Sequence, residues 1–174
     1  MSNLLWTKTV ELDTQRKKVL AIDASLTGTG WCVATSEKDV TFGDLKNDLR
    51  NEERLQWIIN KLKDFLELHT PNVLVLEDYS FGSSTSAYDL GELGGLIRVL
   101  FKEYQDCNPT AQIVKYAPTE LKKFVTGKGN APKEIMLMKI LQKFGVETAN
   151  NNQADAVGLC FMALLEHKPT KKKK

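Results

Sequence analysis

The segment VLAIDASLTGTGW, residues 19 to 31, constrains this chain more than any other, because it sets one acid, Asp23, inside an apolar run. Such a run reads as a buried strand. A carboxylate within it loses water and gains no evident partner. That costs about 2–7 kcal/mol for a polar group, and more for a charge, unless something compensates. A bound metal ion is the usual compensation. Two further acids stand at comparable places, Glu77 after the run VLVL and Asp155 in NNNQADAVGL. The simplest account is three carboxylates, from three distant segments, gathered around divalent metal.

A chain of 174 residues reads as one domain, within the usual span of roughly 100–200. A hydrophobic share of 42% is enough for a core. No apolar run approaches the roughly 18 residues of a membrane-crossing helix, and the first residues lack the apolar stretch of a signal peptide. Three scattered cysteines, Cys32, Cys107 and Cys160, show no CxxC spacing, so zinc is not expected and a reduced, cytoplasmic setting is.

The net charge of +2 conceals an asymmetry. Residues 168 to 174 hold five of the 24 basic residues and no acid, which leaves 19 against 22 acidic residues elsewhere. A second cluster, LKKFVTGKGNAPKEIMLMK, carries Lys122, Lys123, Lys128, Lys133 and Lys139. Local lysine clusters suit a phosphate-binding surface; the plainer reading is a solvated tail and helix face.

Hydrophobic spacing divides the chain into an N-terminal extension (1–18), a folded domain (19–166) and a basic tail expected to be disordered (167–174). Strands are expected at 19–25, 30–35 and 40–45, the first two joined by a tight turn at Thr27-Gly28-Thr29-Gly30, forming an antiparallel meander. An amphipathic helix follows over 52–68, with Pro71 as its stop, then a strand at 73–77. Helical spacing resumes over 87–104, a strand at 112–116, and helices at 118–126, 131–144 and 154–166. Strands first, then alternating helix and strand, imply an α/β fold with a mixed sheet and helices packed on it.

Each acid also has a bland reading. Asn152 could be the N-cap of the last helix with Asp155 as its N3 acid. Glu77 could be a solvated acid at a strand end, and Asp23 a buried, hydrogen-bonded one. The combination is more specific than any member. Strand ends are where ligand sites gather in open sheets. Two Mg²⁺ ions about 3.5–4 Å apart can activate water and stabilise a leaving oxygen in phosphodiester cleavage. The loop TGKGNA, ahead of a helix, could bring backbone N–H groups to phosphate or be a simple connection. It is not a GxxxxGK[ST] loop, so no nucleotide cofactor is expected. Gly91, Gly94 and Gly95 each cost roughly 1 kcal/mol inside a helix, which points to close approach to the sheet, another subunit or a substrate. Tyr79 and Phe81 are candidates for stacking on unpaired bases, or for closing the core.

Taken in order, LAIDASLTGTGW, VLEDYSFG, LGELGGLIR, APTELKKFVTGKGNAPKEIM and NNQADAVGL resemble the RuvC-like Holliday junction resolvases of the RNase H-like superfamily, over about residues 19 to 165. The resemblance is to the short phage-type members more than to the bacterial housekeeping enzyme. It implies a five-stranded mixed sheet, three strands antiparallel and then two parallel. It also implies a homodimer, cytoplasmic (in the host cell where phage-encoded), that nicks a four-way DNA junction symmetrically with Mg²⁺ or Mn²⁺. Four acidic positions bind metal in that family. Asp23 matches the first, which bridges the ions, Glu77 the second and Asp155 the last.

The third matching position, one helical turn before Asp155, is Asn152 rather than an acid. An amide carbonyl can ligate a hard cation but brings no charge, and some members carry His there. The readings are a natural variant that still cuts, a weakened or junction-binding-only protein, or an engineered inactive form. Asp78 and Glu147 are other acids in the neighbourhood, without supporting spacing. By resemblance, Lys122 and Lys133 meet the scissile phosphate or DNA backbone, and the helix around Leu90 to Ile97 lies near the dimer contact. The expected function is a metal-dependent, structure-selective endodeoxyribonuclease acting on branched DNA. The rivals are a related nuclease for forks, flaps or hybrids, and a junction binder that has lost cleavage.

Overall fold

Alternation along the strands splits the interior into two cores. In a strand successive side chains point to opposite faces. Val19, Ala21, Val73 and Val75 accordingly fall in one buried cluster, while Leu20, Ile22, Leu74 and Leu76 fall in another. The computed structural model describes residues 16–78 and 86–165. The expected extension up to residue 15, the tail from 166, and Tyr79 and Phe81 lie outside the described residues.

The elements run β1 (Val19–Asp23), β2 (Thr29–Ser36), β3 (Asp39–Leu45), α1 (Asn51–His69), β4 (Val73–Glu77), α2 (Ser86–Cys107), β5 (Gln112–Tyr116), α3 (Pro118–Thr126), α4 (Lys133–Phe144) and α5 (Asn151–Leu164). The sheet order is β3-β2-β1-β4-β5. β1, β2 and β3 pair antiparallel, and β4 pairs parallel with both β1 and β5. This is the expected mixed sheet. α1 and α2 cover one face through Ile58, Leu62, Leu66, Leu93, Ile97 and Phe101. α3, α4 and α5 cover the other.

α5 is buried nearly all round, from Ala154 to Ala163, as expected of a helix whose apolar residues are not confined to one stripe. Its small residues let it lie close to its neighbours. A Cβ built at Gly158 would stand 2.7 Å from Leu121 Cδ1 of α3. On the sheet side, a Cβ at Gly30 of β2 would stand 2.0 Å from the carbonyl oxygen of Asn152, so only glycine admits the first turn of α5 at that distance.

Most boundaries shift by one to three residues from the sequence reading, and three of the shifts bear on the site. β1 ends at Asp23 rather than Ser25, because Thr29 Oγ1 donates to the Ser25 carbonyl at 2.8 Å and accepts from its N–H at 3.4 Å, closing the turn early. Asp23 is thus a strand-end residue, not a mid-strand one. α4 starts at Lys133, with Pro132 rather than a residue inside the helix at its N-cap. α5 starts at Asn151, three residues early, and its N-cap is Asn150, whose side chain accepts from the Gln153 N–H at 3.0 Å. Asn152 is therefore not the cap, and Asp155 lies beyond the first turn, where capping does not explain it.

The glycines of α2 are also corrected in part. A Cβ at Gly91 would meet nothing within 4 Å, and one at Gly95 only Arg98 Nη2 at 3.9 Å. The sheet does not require either. They lie on an outer surface with Leu96 and Val99, which are 42% and 52% exposed.

Candidate active site

One row of residues crosses the sheet beneath the start of α5. Gly30 of β2 pairs with Asp23 of β1 on one side and with Asp44 of β3 on the other. β1 and β4 run in register from Val19 opposite Val73 to Ile22 opposite Leu76. One further step sets Asp23 beside Glu77, on strands about 4.8 Å apart. By the same alternation that places Val19, Ala21, Val73 and Val75 against α5, Asp23 and Glu77 face that helix. Asp155 comes down to them from its second turn.

A cavity of about 350 Å³ results, lined by Asp23, Glu77, Asn152, Asp155, Lys122 and Lys133, with Ser25, Leu90, Pro118 and Leu121 among its walls. All three carboxyls of the cavity hold protons more tightly than usual. Burial raises Asp23 well above its ordinary range, and the charges of Glu77 and Asp155 raise it further against the pull of Lys133. Burial and then the charge of Asp155 push Glu77 up to about 7, opposed by Lys133 and Lys122. Burial pushes Asp155 up to about 6, opposed by the same two lysines. Among the described residues, none donates a hydrogen bond or closes an ion pair to these three side chains.

Asp44 contrasts with them. Its Oδ1 accepts from Gln153 Nε2 at 2.5 Å and from Asn150 Nδ2 at 3.3 Å, and its Oδ2 pairs with Lys46 Nζ at 2.6 Å. Burial raises this carboxyl too, but the bonds from Lys46, Gln153 and Asn150, with the lysine's charge, outweigh it and the net shift is downward.

The lysines separate into two groups. Lys122 of α3 and Lys133 at the start of α4 line the cavity, whereas Lys123 and Lys128 do not. The N–H of Lys128 is taken by Thr126 Oγ1 at 3.1 Å, and Gly127, at φ 84°, ends α3 by donating to the Lys123 carbonyl at 2.9 Å. That glycine of TGKGNA serves a helix end. Asp78 and Glu147 do not line the cavity either. The sequence reading missed Asp44, Asn150, Gln153 and Gly30; a run of three asparagines before a buried helix was the one local signal.

Among the described residues, no group of three or more His, Cys, Asp or Glu side chains is arranged to hold a metal ion. The three carboxylates share one cavity with Lys122 and Lys133. The carboxylate oxygens are hard donors of the kind Mg²⁺ and Mn²⁺ take, with Lys122 and Lys133 as the cations beside them.

Sheet order, strand directions and helices on both faces define an RNase H-like α/β protein, here with acids at two adjacent strand ends and on the last helix. The family model for crossover junction endodeoxyribonuclease RuvC matches residues 19–162. The enzyme of that name from Rickettsia typhi is 30% identical over 159 residues, covering 86% of this chain and 98% of the relative. Its counterpart from Rickettsia bellii is 29% identical over 156 residues, covering 84% and 96%. RuvC of Thermus thermophilus, solved in complex with a Holliday junction substrate, superposes with a TM-score of 0.67 at 22% identity, over 88% of this chain and 99% of that one, which bears on the fold. The chain belongs to the RuvC family. Among the described residues, no helix is long and apolar enough to cross a membrane.

Proposed function

We propose that this protein is a Holliday junction resolvase, an endonuclease that recognises four-way DNA and hydrolyses its phosphodiester bonds with Mg²⁺ or Mn²⁺. The observation that carries this reading is the meeting of Asp23, Glu77 and Asp155 in one cavity with Lys122 and Lys133, in a chain of the RuvC family. The ends of β1 and β4 and the second turn of α5 supply the oxygens.

Divalent ions, if bound there, would supply an activated water and stabilisation of the leaving oxygen. The chain's own residues do the rest. Asp23, Glu77 and Asp155 would hold the ions through their carboxylate oxygens. Asn152 contributes a neutral carbonyl oxygen where a fourth carboxylate would add charge. Lys122 and Lys133 offset the phosphate's charge, and Lys123 and Lys128, outside the cavity, are left to the flanking DNA backbone. Tyr79 and Phe81 are the aromatic candidates for the branch point. Two cuts across one junction need two sites, and a C₂ dimer matches that symmetry. The outer face of α2, with Gly91, Leu96 and Val99 exposed, is the candidate contact.

Asn152 favours a second reading, a protein that binds junctions but cuts them feebly, since the cavity has one charge fewer to hold its ions. Labelled junctions, forks, flaps and RNA–DNA hybrids incubated with Mg²⁺ or Mn²⁺ separate the possibilities. Paired nicks in the junction are expected. Preference for forks or hybrids would replace the substrate, and tight junction binding without nicks in either metal would leave only the binding role.

A further inference from the structure

We propose that Asp44 is a positioning residue for the nuclease site: it clamps the first turn of α5 from β3 and so fixes where Asn152 and Asp155 stand. This inference rests on the reading of the cavity given above. No local pattern marks Asp44, which lies on the outermost strand of the meander and more than a hundred residues from its partners.

The clamp has three parts. Asp44 Oδ1 accepts from Asn150, the N-cap, and from Gln153, at N3. Those two residues are already tied to each other, because Asn150 Oδ1 accepts from the Gln153 N–H, and Gln153 Oε1 accepts from the Ala149 N–H at 2.9 Å. The second Asp44 oxygen holds Lys46, whose aliphatic stem comes within 3.1 Å of the point where a Gly28 Cβ would lie; Asn152 Nδ2 comes within 3.0 Å of the same point. Lys46, Gly28 and Asn152 thus meet at one place.

Beneath them, Gly30 leaves room for the turn, because a Cβ there would stand 2.0 Å from the Asn152 carbonyl oxygen. Asp44 therefore ties the start of α5 to β3 through side-chain bonds, in addition to the packing of the helix on the sheet. Because that end carries the side chains of Asn152 and Asp155, a small shift there moves two of the four residues proposed to hold the ions. Outer residues that orient a ligand set typically change metal affinity by about 10–100-fold when removed.

The test compares the unsubstituted protein with Asp44→Ala and Asp44→Asn. Asparagine keeps an oxygen for Gln153 and Asn150 and gives up only the lysine pair. Three quantities are read: Mn²⁺ affinity from the electron paramagnetic resonance of free Mn²⁺, the Mn²⁺ midpoint for junction nicking, and amide hydrogen exchange along α5. Asp44→Ala is expected to weaken Mn²⁺ binding and raise the nicking midpoint by about tenfold. It is also expected to speed exchange at Gln153 to Asp155, while exchange in β1 and β4 and junction affinity without divalent ion stay as they were. Asp44→Asn is expected to recover most of both. Unchanged Mn²⁺ affinity and exchange in Asp44→Ala would overturn the proposal. So would equal losses in both variants with uniformly faster exchange, which would make Asp44 a general fold residue. Absence of Mn²⁺ binding and nicking in the unsubstituted protein would strike at the nuclease reading instead, and exchange along α5 would still decide whether Asp44 fixes the helix.

Discussion

Asp44 and Asp23 flank the same glycine on the same row of the sheet, yet they are opposites. Asp44 is surrounded by donors, two amides and a lysine, and its carboxyl ionises more readily than usual. Asp23 has burial and two other carboxylates for company, and its proton is held. A fold gains from the first arrangement and loses from the second. Hydrogen bonds to a carboxylate stabilise it, whereas a desolvated charge without a partner is among the costlier things a protein can bury. On the proposed reading the cost on the Asp23 side has a use, because the same crowding that makes these carboxyls hold their protons would attract a doubly charged ion.

The contrast is most easily broken by neutralising each acid in turn. Asp23→Asn is expected to lower the junction nicking rate on the order of a thousandfold, the scale seen for groups that stabilise charge in a transition state. The same change should raise thermal stability at pH 8 without metal, since it removes a repelled charge. A fall in stability would mean that Asp23 has a structural partner in the fold.

Asn152→Asp sharpens the comparison from the other direction by adding charge to the already crowded side. We expect nicking at limiting Mn²⁺ to rise by about tenfold, together with lower stability in the absence of divalent ion. No gain in either metal would show that position 152 is not a ligand position. Gly30→Ala removes the clearance that the two acids share. The new Cβ confronts a backbone carbonyl, so a loss of about 1–3 kcal/mol is expected, seen as a melting temperature lower by roughly 2–12 °C.

The smallest effect comes from pH. Asp23, Glu77 and Asp155 keep their protons to higher pH in the fold than in an open chain, Glu77 to about 7 and Asp155 to about 6. The unfolded values lie near 4. Between about pH 4 and 7 the folded state therefore binds more protons than the unfolded one, and stability falls as pH rises through that window. Without metal, the melting temperature should be lower at pH 8 than at pH 5 by a few degrees. Added Mg²⁺ or Mn²⁺ should raise it more at pH 8, where Glu77 and Asp155 are ionised. Scanning calorimetry at the two pH values, with and without the ion, reads both signs.

Much of the cavity was legible because an acid in an apolar strand is conspicuous. Asp23 and Glu77 stand out against VLAI and VLVL, and Asp155 against the apolar run that follows it. Strands β4 and β5 and helix α3 fall at the expected residues for the same reason, apolar stretches cut cleanly by turn residues. The start of α5 was not legible. Asn150, Asn151 and Asn152 are all good capping residues, and local propensity cannot choose among them. The choice comes from Asp44, which bonds the side chains of Asn150 and Gln153 across the sheet. The function of Asp44 was invisible because it depends on the pairing of β3 with β2 and on Gly30 leaving room above it. The glycines of α2 misled in one respect: their conformational cost was plain, but the open space beside Gly91 and Gly95 depends on tertiary structure.

The most direct test of the central claim is anomalous diffraction from crystals soaked in Mn²⁺. The account predicts Mn²⁺ peaks bounded by the oxygens of Asp23, Glu77 and Asp155, with Asn152 alongside and Asp44 still bonded to Asn150 and Gln153. An ordered cavity without Mn²⁺, at concentrations that support nicking, would contradict it.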